Sequence, residues 1–390
     1  MKSIDNTTPT TIQLEGREFS QRLLRRLFEN ARGSRRGNLD TDRFGRPEPA
    51  SFRARVRDRL LRSLLTLCRK PHCLTYGSQW EQISEQMVAV SQVLDGLEHL
   101  YGRLADDESR SLLVDLVAYR ILGRERMSLE FDRDDYWKRR DTLRSLFNPT
   151  EATPLPTSGW TLAPVNLSTI GYPITIHSIP IVLHTIFESK QYEYRRSDFV
   201  IKASEGEIVI DAGGCWGDAA LYFANEVGGS GQVYTFEFIP ANLKIMRRNF
   251  ALNSKISNRI TVIERPVWAS SDELLYFSDR GPGSQVSSET FAGAEPVRAI
   301  SLEDFVKNNR IQKVDFIKMD IEGAELSALR GAIEVIKTFR PKLAISIYHR
   351  LCDFRDIPEF ILRLNSGYKL FLGHYTVHSE ETVLFATTQH

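Results

Sequence analysis

The spacing of apolar residues divides the chain into two regimes. From Glu18 to Asn30, and again from Phe52 to Cys68, Leu, Phe and Val recur at helical spacing between arginines, which predicts amphipathic helices. The stretch Trp80 to Leu104 predicts a third, with Ile83, Met87, Val90, Leu94 and Leu97 on its inner face. Ser109 to Leu122 predicts a fourth, apolar enough at Leu112, Val114, Leu116, Val117 and Leu122 to be buried. The run GSRRGNLDTDRFGRPEPAS is rich in Gly, Pro and charge and reads as a loop. The run EFDRDDYWKRRD mixes charge with aromatics and reads as surface helix or loop. Four prolines between Asn148 and Pro164 end the helical regime.

From Phe199 the period changes. Strands are predicted at GEIVIDAGG, GQVYTFEF, RITVIERPV, VDFIKMDIEG and KLAISIYHR. Helices are predicted at DAALYFANEV, IPANLKIMRRNFALN, AELSALRGAIEVIKTF and IPEFILRLNSG. This alternation argues for a parallel α/β sheet covered by helices on both faces. The closing pair, YKLFLGHY and ETVLFATT, has no helix between its members, so an antiparallel strand is expected to finish the sheet. The expected organisation is a helical region over 1–150, a linker and lid segment over 151–200, and an α/β domain over 201–390.

Composition narrows the classes. A chain of 390 residues with 42% hydrophobic and 26% charged residues is ordinary for a globular protein of two or three domains. The net charge of +1 conceals an asymmetry: residues 1–70 carry 17 Lys/Arg against 8 Asp/Glu, near +9, and the remainder is near −8. Such an arm suits anionic surfaces, but solvated helix faces are the favoured explanation, and it gives no firm nucleic-acid or membrane signal. Cys68, Cys73, Cys215 and Cys352 form no CxxC pair and have no His cluster beside them, which argues against a structural zinc site and fits a reducing cytoplasm. The N-terminus lacks the apolar core of a signal peptide, and the apolar stretch around Ile179 to Phe187 is too short to span a membrane. A soluble, cytoplasmic protein is expected.

Four constellations carry chemistry. The first strand ends in Asp211 and turns through Gly213, Gly214, Cys215, Trp216 and Gly217 into a helix. Glycines let backbone approach a ligand, and ligands of open α/β sheets lie beyond the strands' carboxyl ends. Glu237 ends the second strand 20 residues past Gly217, where an acidic residue holds a ribose diol; Phe238 follows it. The glycine order is Asp-x-Gly-Gly-x-x-Gly, with no G-x-G seat for a pyrophosphate, and a leading acid suits the positive charge of S-adenosylmethionine (SAM). Lys318, Asp320 and Glu322 alternate at the end of the fourth strand, a costly density of charge unless it is functional or paired, with a Lys318–Asp320 ion pair as the structural alternative. His349 ends the fifth strand and suits proton removal from a hydroxyl; His374, at the end of the sixth, is a weaker candidate.

The runs DAGGCWGDAALYFA, VYTFEFIPANLKIMRRNFALN, VRAISLEDF, VDFIKMDIEGAELSALRGA and RPKLAIS occur in that order, and the K-x-D-x-E-G-x-E and F-E-x-x-P signatures stand out. Over roughly 191–385 the chain resembles the FkbM-type SAM-dependent methyltransferases. The resemblance implies a class I (Rossmann-like) fold, a doubly wound, mostly parallel seven-stranded sheet, here with an α-helical N-terminal domain. It implies methyl transfer, usually to a hydroxyl, with members acting on sugars of surface polysaccharides or on natural products such as macrolides. It would place the methionine end of SAM on Asp211, Gly213 and Gly217, the ribose on Glu237, and the methyl group near Asp320 and Glu322. The family's turn often reads Asp-x-Gly-Ala-Asn-x-Gly, so Gly214, Cys215 and Trp216 depart from it, and bulky Trp216 is expected to reshape the pocket.

The expectation is an O-methyltransferase acting on a saccharide or small-molecule acceptor, with His349 as general base, Asp320 as second choice, and Lys318 and Glu322 in the catalytic set. Oxygen and imidazole donors at Asp320, Glu322 and His349 would also suit Mg or Mn. An NAD-dependent oxidoreductase and a non-catalytic binding module of the same fold are the rival readings. The helical region would serve dimerisation, acceptor recognition or docking.

Overall fold

The computed structural model describes residues 17–31, 77–155, 160–196, 199–281, 283–364 and 366–388. The helix expected from Phe52 to Cys68, most of the basic arm, and Cys68 and Cys73 lie outside the described residues. Among the described residues the N-terminal region forms the helices α1 (Glu18–Ala31), α2 (Gly77–Ser91), α3 (Leu94–Arg103), α4 (Asp107–Leu122) and α5 (Asp134–Leu146). The single helix expected over Trp80 to Leu104 is broken at Gln92 and Val93, and Met87, assigned to its inner face, is half exposed at 50%. The charged aromatic run forms α5 and buries Tyr136 completely. Helix α4 starts where the Asp106 carboxylate accepts the Ser109 amide at 2.7 Å, an N-cap, and stops at Gly123 in a positive-φ turn.

The sheet has seven strands: β1 (Ile208–Ala212), β2 (Gln232–Phe236), β3 (Ile260–Ile263), β4 (Phe316–Met319), β5 (Lys342–Ser346), β6 (Lys369–His374) and β7 (Thr382–Thr387). Their order is β6-β7-β5-β4-β1-β2-β3. The five strands from β5 to β3 are parallel, and β7 is antiparallel to both β5 and β6, inserted between them. Strands β4, β5 and β7 are buried at every position, as expected of strands covered on both faces. The doubly wound architecture expected from the alternation is therefore present. The helices that wind it are α6 (Asp218–Glu226), α7 (Pro240–Leu252), α8 (Leu302–Asn308), α9 (Glu325–Arg330), α10 (Ile333–Phe339) and α11 (Asp353–Arg363). The expected single helix from Ala324 to Phe339 splits between α9 and α10 at Gly331. A Cβ there would meet the Trp268 carbonyl oxygen at 2.2 Å, so the chain turns where the segment after β3 passes.

Two parts differ from the sequence expectation. The helical region is not a separate module: one apolar core runs from Phe19, Leu97 and Leu116 into Ile210, Ile345 and Leu372 of the sheet. The 151–200 stretch is no linker. It forms antiparallel strands at Thr161–Asn166 and Thr175–Ser178, one turn of π-helix at His184–Glu188, and a strand pair at Tyr194–Arg196 and Phe199–Ile201. Tyr172, Phe187, Tyr192 and Tyr194 are buried there against α6 and the sheet. Between β3 and α8 a further antiparallel excursion, built on Leu274–Phe277 and Glu295–Arg298, rises over the sheet's carboxyl edge. No described helix is long and apolar enough to cross a membrane.

Candidate active site

Thr235, Asp211 and Lys318 sit side by side in the register of β2, β1 and β4. Lys318 Nζ lies 2.9 Å from Asp211 Oδ1, both side chains almost wholly buried, and Thr235 Oγ1 donates to Asp211 Oδ2 at 2.7 Å. Lys318 also donates to the carbonyls of Ala212 at 3.2 Å and Gly213 at 2.6 Å. Burial opposes its charge, but the carboxylates of Asp211 and Asp320 outweigh burial and raise its pKa. The ion pair thus runs to Asp211, not to Asp320. Asp211 and Lys318, expected to touch the cofactor and the reaction, instead form the floor beneath the glycine turn.

The turn itself is strained open. Gly213, Cys215 and Gly217 have φ of 90°, 45° and 82°. A Cβ on Gly213 would stand 1.9 Å from the Asp320 carbonyl oxygen, so only glycine lets the turn lie against the end of β4. Gly213, Cys215, Glu237, Phe238, Asp320 and Glu322 line one cleft, whose empty space of about 570 Å³ includes the open solvent at its mouth. Ile239 and Asn242 of the segment entering α7, and Pro266 and Val267 after β3, complete its near wall; Gly281, Ser284 and Val286 come from the antiparallel excursion. Gly214 and Gly217 face inward, toward Thr235, Met246 and Phe250. Trp216 is fully buried among Leu162, Ile179 and Ile245, so it anchors the 161–182 layer and does not shape the cleft.

Glu237 Oε1 accepts the amides of Phe238 and Ile239, each at 2.7 Å, and Asn242 donates to Oε2 at 3.3 Å. Burial pushes its carboxyl up to about 7, against the pull of those donors. The backbone therefore aims Oε2 while leaving it acceptor capacity toward the cleft.

The end of β4 carries a dense cluster. Asp320 accepts from Tyr192 and Tyr348 hydroxyls, both at 3.1 Å. His349 Nε2 lies 3.4 Å from Asp320 and 3.6 Å from Glu322, and Nδ1 lies 3.2 Å from Glu325. Burial works against protonation of His349, but Glu325, Asp320 and Glu322 outweigh it and raise its pKa to about 9. The raised pKa favours the imidazolium form and weighs against His349 as the general base. Glu322, in the left-handed region at φ 56°, is pushed up to about 7 by burial and by Asp320 and Glu325. Glu381 behind the cluster is raised to about 8 by burial and Asp320. His374 is buried in β6 with its Nδ1 on Thr382 at 2.9 Å; burial lowers its pKa to about 3, and it takes no part.

The sequence reading missed several of these groups. Glu325 was visible as the last member of K-x-D-x-E-G-x-E, but its place inside helix α9 hid its inward direction. Tyr192 lay in the supposed linker. The excursion strands are short and weakly patterned.

The sheet order, the glycine turn, the acid after β2 and the cluster after β4 define a class I methyltransferase fold. Residues 202–370 match the family model of the Methyltransferase FkbM domain. No curated protein matches the chain in sequence. Among solved structures it is similar to the methyltransferase FkbM from Methylobacillus flagellatus KT, at 21% identity and a TM-score of 0.48, over 76% of this chain and 59% of that one. It is also similar to Aeropyrum pernix fibrillarin with natively bound S-adenosyl-L-methionine, at 12% identity and a TM-score of 0.32, over 48% and 69% of the two chains. A precorrin-6y C5,15-methyltransferase from Geobacter metallireducens GS-15 aligns at 12% identity and a TM-score of 0.29, over 47% and 80%. The chain thus spans 59% of the length of the Methylobacillus protein.

The raised pKa values set a pH dependence. His349, above its ordinary 6.5, contributes stability that is full below pH 6.5 and is lost as pH rises through about 9. Glu322 and Glu381, raised above their ordinary values, lose stability in the same direction as they ionise. The melting temperature of the ligand-free protein is expected to fall between pH 6.5 and 9 at constant ionic strength; a constant or rising value in thermal melts would contradict these assignments.

Proposed function

We propose that the protein is a SAM-dependent O-methyltransferase that methylates a hydroxyl of a sugar, glycoconjugate or natural-product acceptor. The observation that carries this reading is the acidic cleft across β1, β2 and β4, in which Glu237 and the pair Asp320 and Glu322 share one cavity with a close-lying glycine turn. Glu237 suits a ribose diol, and the Asp320 carboxylate suits a cofactor with an ammonium and a sulfonium. The turn lacks the G-x-G order that seats a pyrophosphate, which weighs against NAD.

In the reaction, the acceptor oxygen bonds to the methyl carbon as the carbon–sulfur bond breaks, and the electron pair stays on sulfur. The hydroxyl proton passes to Glu322. A carboxyl at about 7 that borders the cleft is matched to this work near neutrality. His349 and the two tyrosines fix Asp320 and Glu322 for it, and positioning supplies most of the acceleration. The helical region supports the same site: Arg120 of α4 donates to the Tyr348 carbonyl at 3.0 Å, behind the hydroxyl that holds Asp320. A reducing, cytoplasmic setting belongs to this reading and accords with the free thiols of Cys215 and Cys352. Self-association through the helical region, a saccharide acceptor and a part in surface-polysaccharide assembly are further parts of it.

Calorimetric titration with SAM and with NAD tests the cofactor. SAM is expected to bind and NAD not, with Glu237→Ala weakening SAM by about tenfold or more through loss of hydrogen bonds to a charged acceptor. Binding of NAD alone, or unchanged SAM affinity in Glu237→Ala, sinks the assignment. The base has its own test: Glu322→Gln should lower kcat about 10²–10⁴-fold while leaving SAM affinity near that of the wild type. A kcat that hardly moves would move the base elsewhere.

A further inference from the structure

The cluster beside the cleft holds more than methyl transfer uses. Donor atoms of Asp320, Glu325 and His349 all lie within 4.8 Å of one another, the one such group of metal-ligating side chains among the described residues. An acidic cluster alone would mean little, but two buried groups here point to a missing occupant. Glu325 is fully buried, and its Oε2 has no hydrogen-bond partner although Oε1 accepts the Ile321 amide at 2.9 Å. A carboxylate oxygen shut away from water without a donor is costly and rare. The His349 side chain is 6% exposed, and neither ring nitrogen makes a well-formed hydrogen bond, though three carboxylates surround it at 3.2 to 3.6 Å. With carboxylates facing both nitrogens, the ring is suited to an imidazolium ion or to a metal ion that takes the place of one proton.

We propose that Asp320, Glu325 and His349 form a seat for a divalent cation of the Mg or Mn class. Two carboxylates and one imidazole are suitable donors for such ions. The seat differs from the set the sequence suggested, because Glu325 takes the place of Glu322 and leaves Glu322 facing the cleft. A cation would supply a partner for Glu325 Oε2 and further positive charge for the carboxylates, and it would displace a proton from the His349 nitrogen that binds it. Its remaining positions would face the cleft through Asp320, the ligand that lines it, and there accept the oxygen of the acceptor hydroxyl and make it more acidic. This role for the cation rests on the methyltransferase reading; its binding does not.

The test uses the full-length protein, stripped with EDTA and titrated with MnCl2, with free Mn²⁺ followed by electron paramagnetic resonance. One saturable site per chain is expected, together with a rise in melting temperature on saturation. Glu325→Gln and His349→Gln should each weaken Mn²⁺ binding by about tenfold or more. A wild-type protein that binds SAM but shows neither saturable Mn²⁺ binding nor a rise in melting temperature overturns the seat, as does Mn²⁺ affinity unchanged in both variants. Should a variant fail to fold, the wild-type titration and melt decide alone. A protein that binds Mn²⁺ at this seat but does not bind SAM overturns the methyltransferase reading and leaves the seat standing.

Discussion

The buried ion pair between Asp211 and Lys318 is the constraint on which the cleft depends. It joins the carboxyl ends of β1 and β4, and Thr235 brings β2 into the same lock. Lys318 then reaches past the pair to the carbonyls of Ala212 and Gly213, where the glycine turn begins. Two charges taken out of water are costly, and removing one partner alone typically costs about 3–5 kcal/mol because the other is left uncompensated. What the pair provides is geometry: it fixes a turn whose backbone must pass against Asp320 with no room for a side chain at Gly213.

From that lock the rest of the cleft follows by contact. The turn presents Cys215 on the same side as Glu237, while β4 delivers Asp320 and Glu322 one step beyond Lys318. A second layer then holds the acids in place. Tyr192, from the 153–201 layer, and Tyr348, braced by Arg120 of the helical region, both grip Asp320. The parts of the chain outside the family match thus contribute to the site they surround. Trp216 belongs to this layer as well, because it pins the 161–182 strands to the α/β core.

The α/β sheet was legible because its strands alternate with helices at a regular period, and the antiparallel last strand because no helix separates YKLFLGHY from ETVLFATT. The cofactor wall was legible for the same kind of reason: glycines and Glu237 lie at strand ends, where position follows from topology. Direction was not legible. Asp211 and Asp320 both end strands, yet Asp211 turns into the sheet toward Lys318 and Asp320 toward the cleft, a difference that only cross-strand register decides. The surroundings of His349 were not legible, because one of the three carboxylates around it lies twenty-four residues away in helix α9. The supposed linker was misread because its prolines and short strands conceal a layer of buried tyrosines.

The most direct test of the account is a double-mutant cycle on the lock, with Asp211→Asn, Lys318→Met and the pair together measured by urea denaturation. The account predicts that each single change costs several kcal/mol and that the double change costs clearly less than their sum, a coupling of about 1–3 kcal/mol. Strictly additive costs, with each single variant close to wild-type stability, would contradict the claim that this ion pair holds the cleft together.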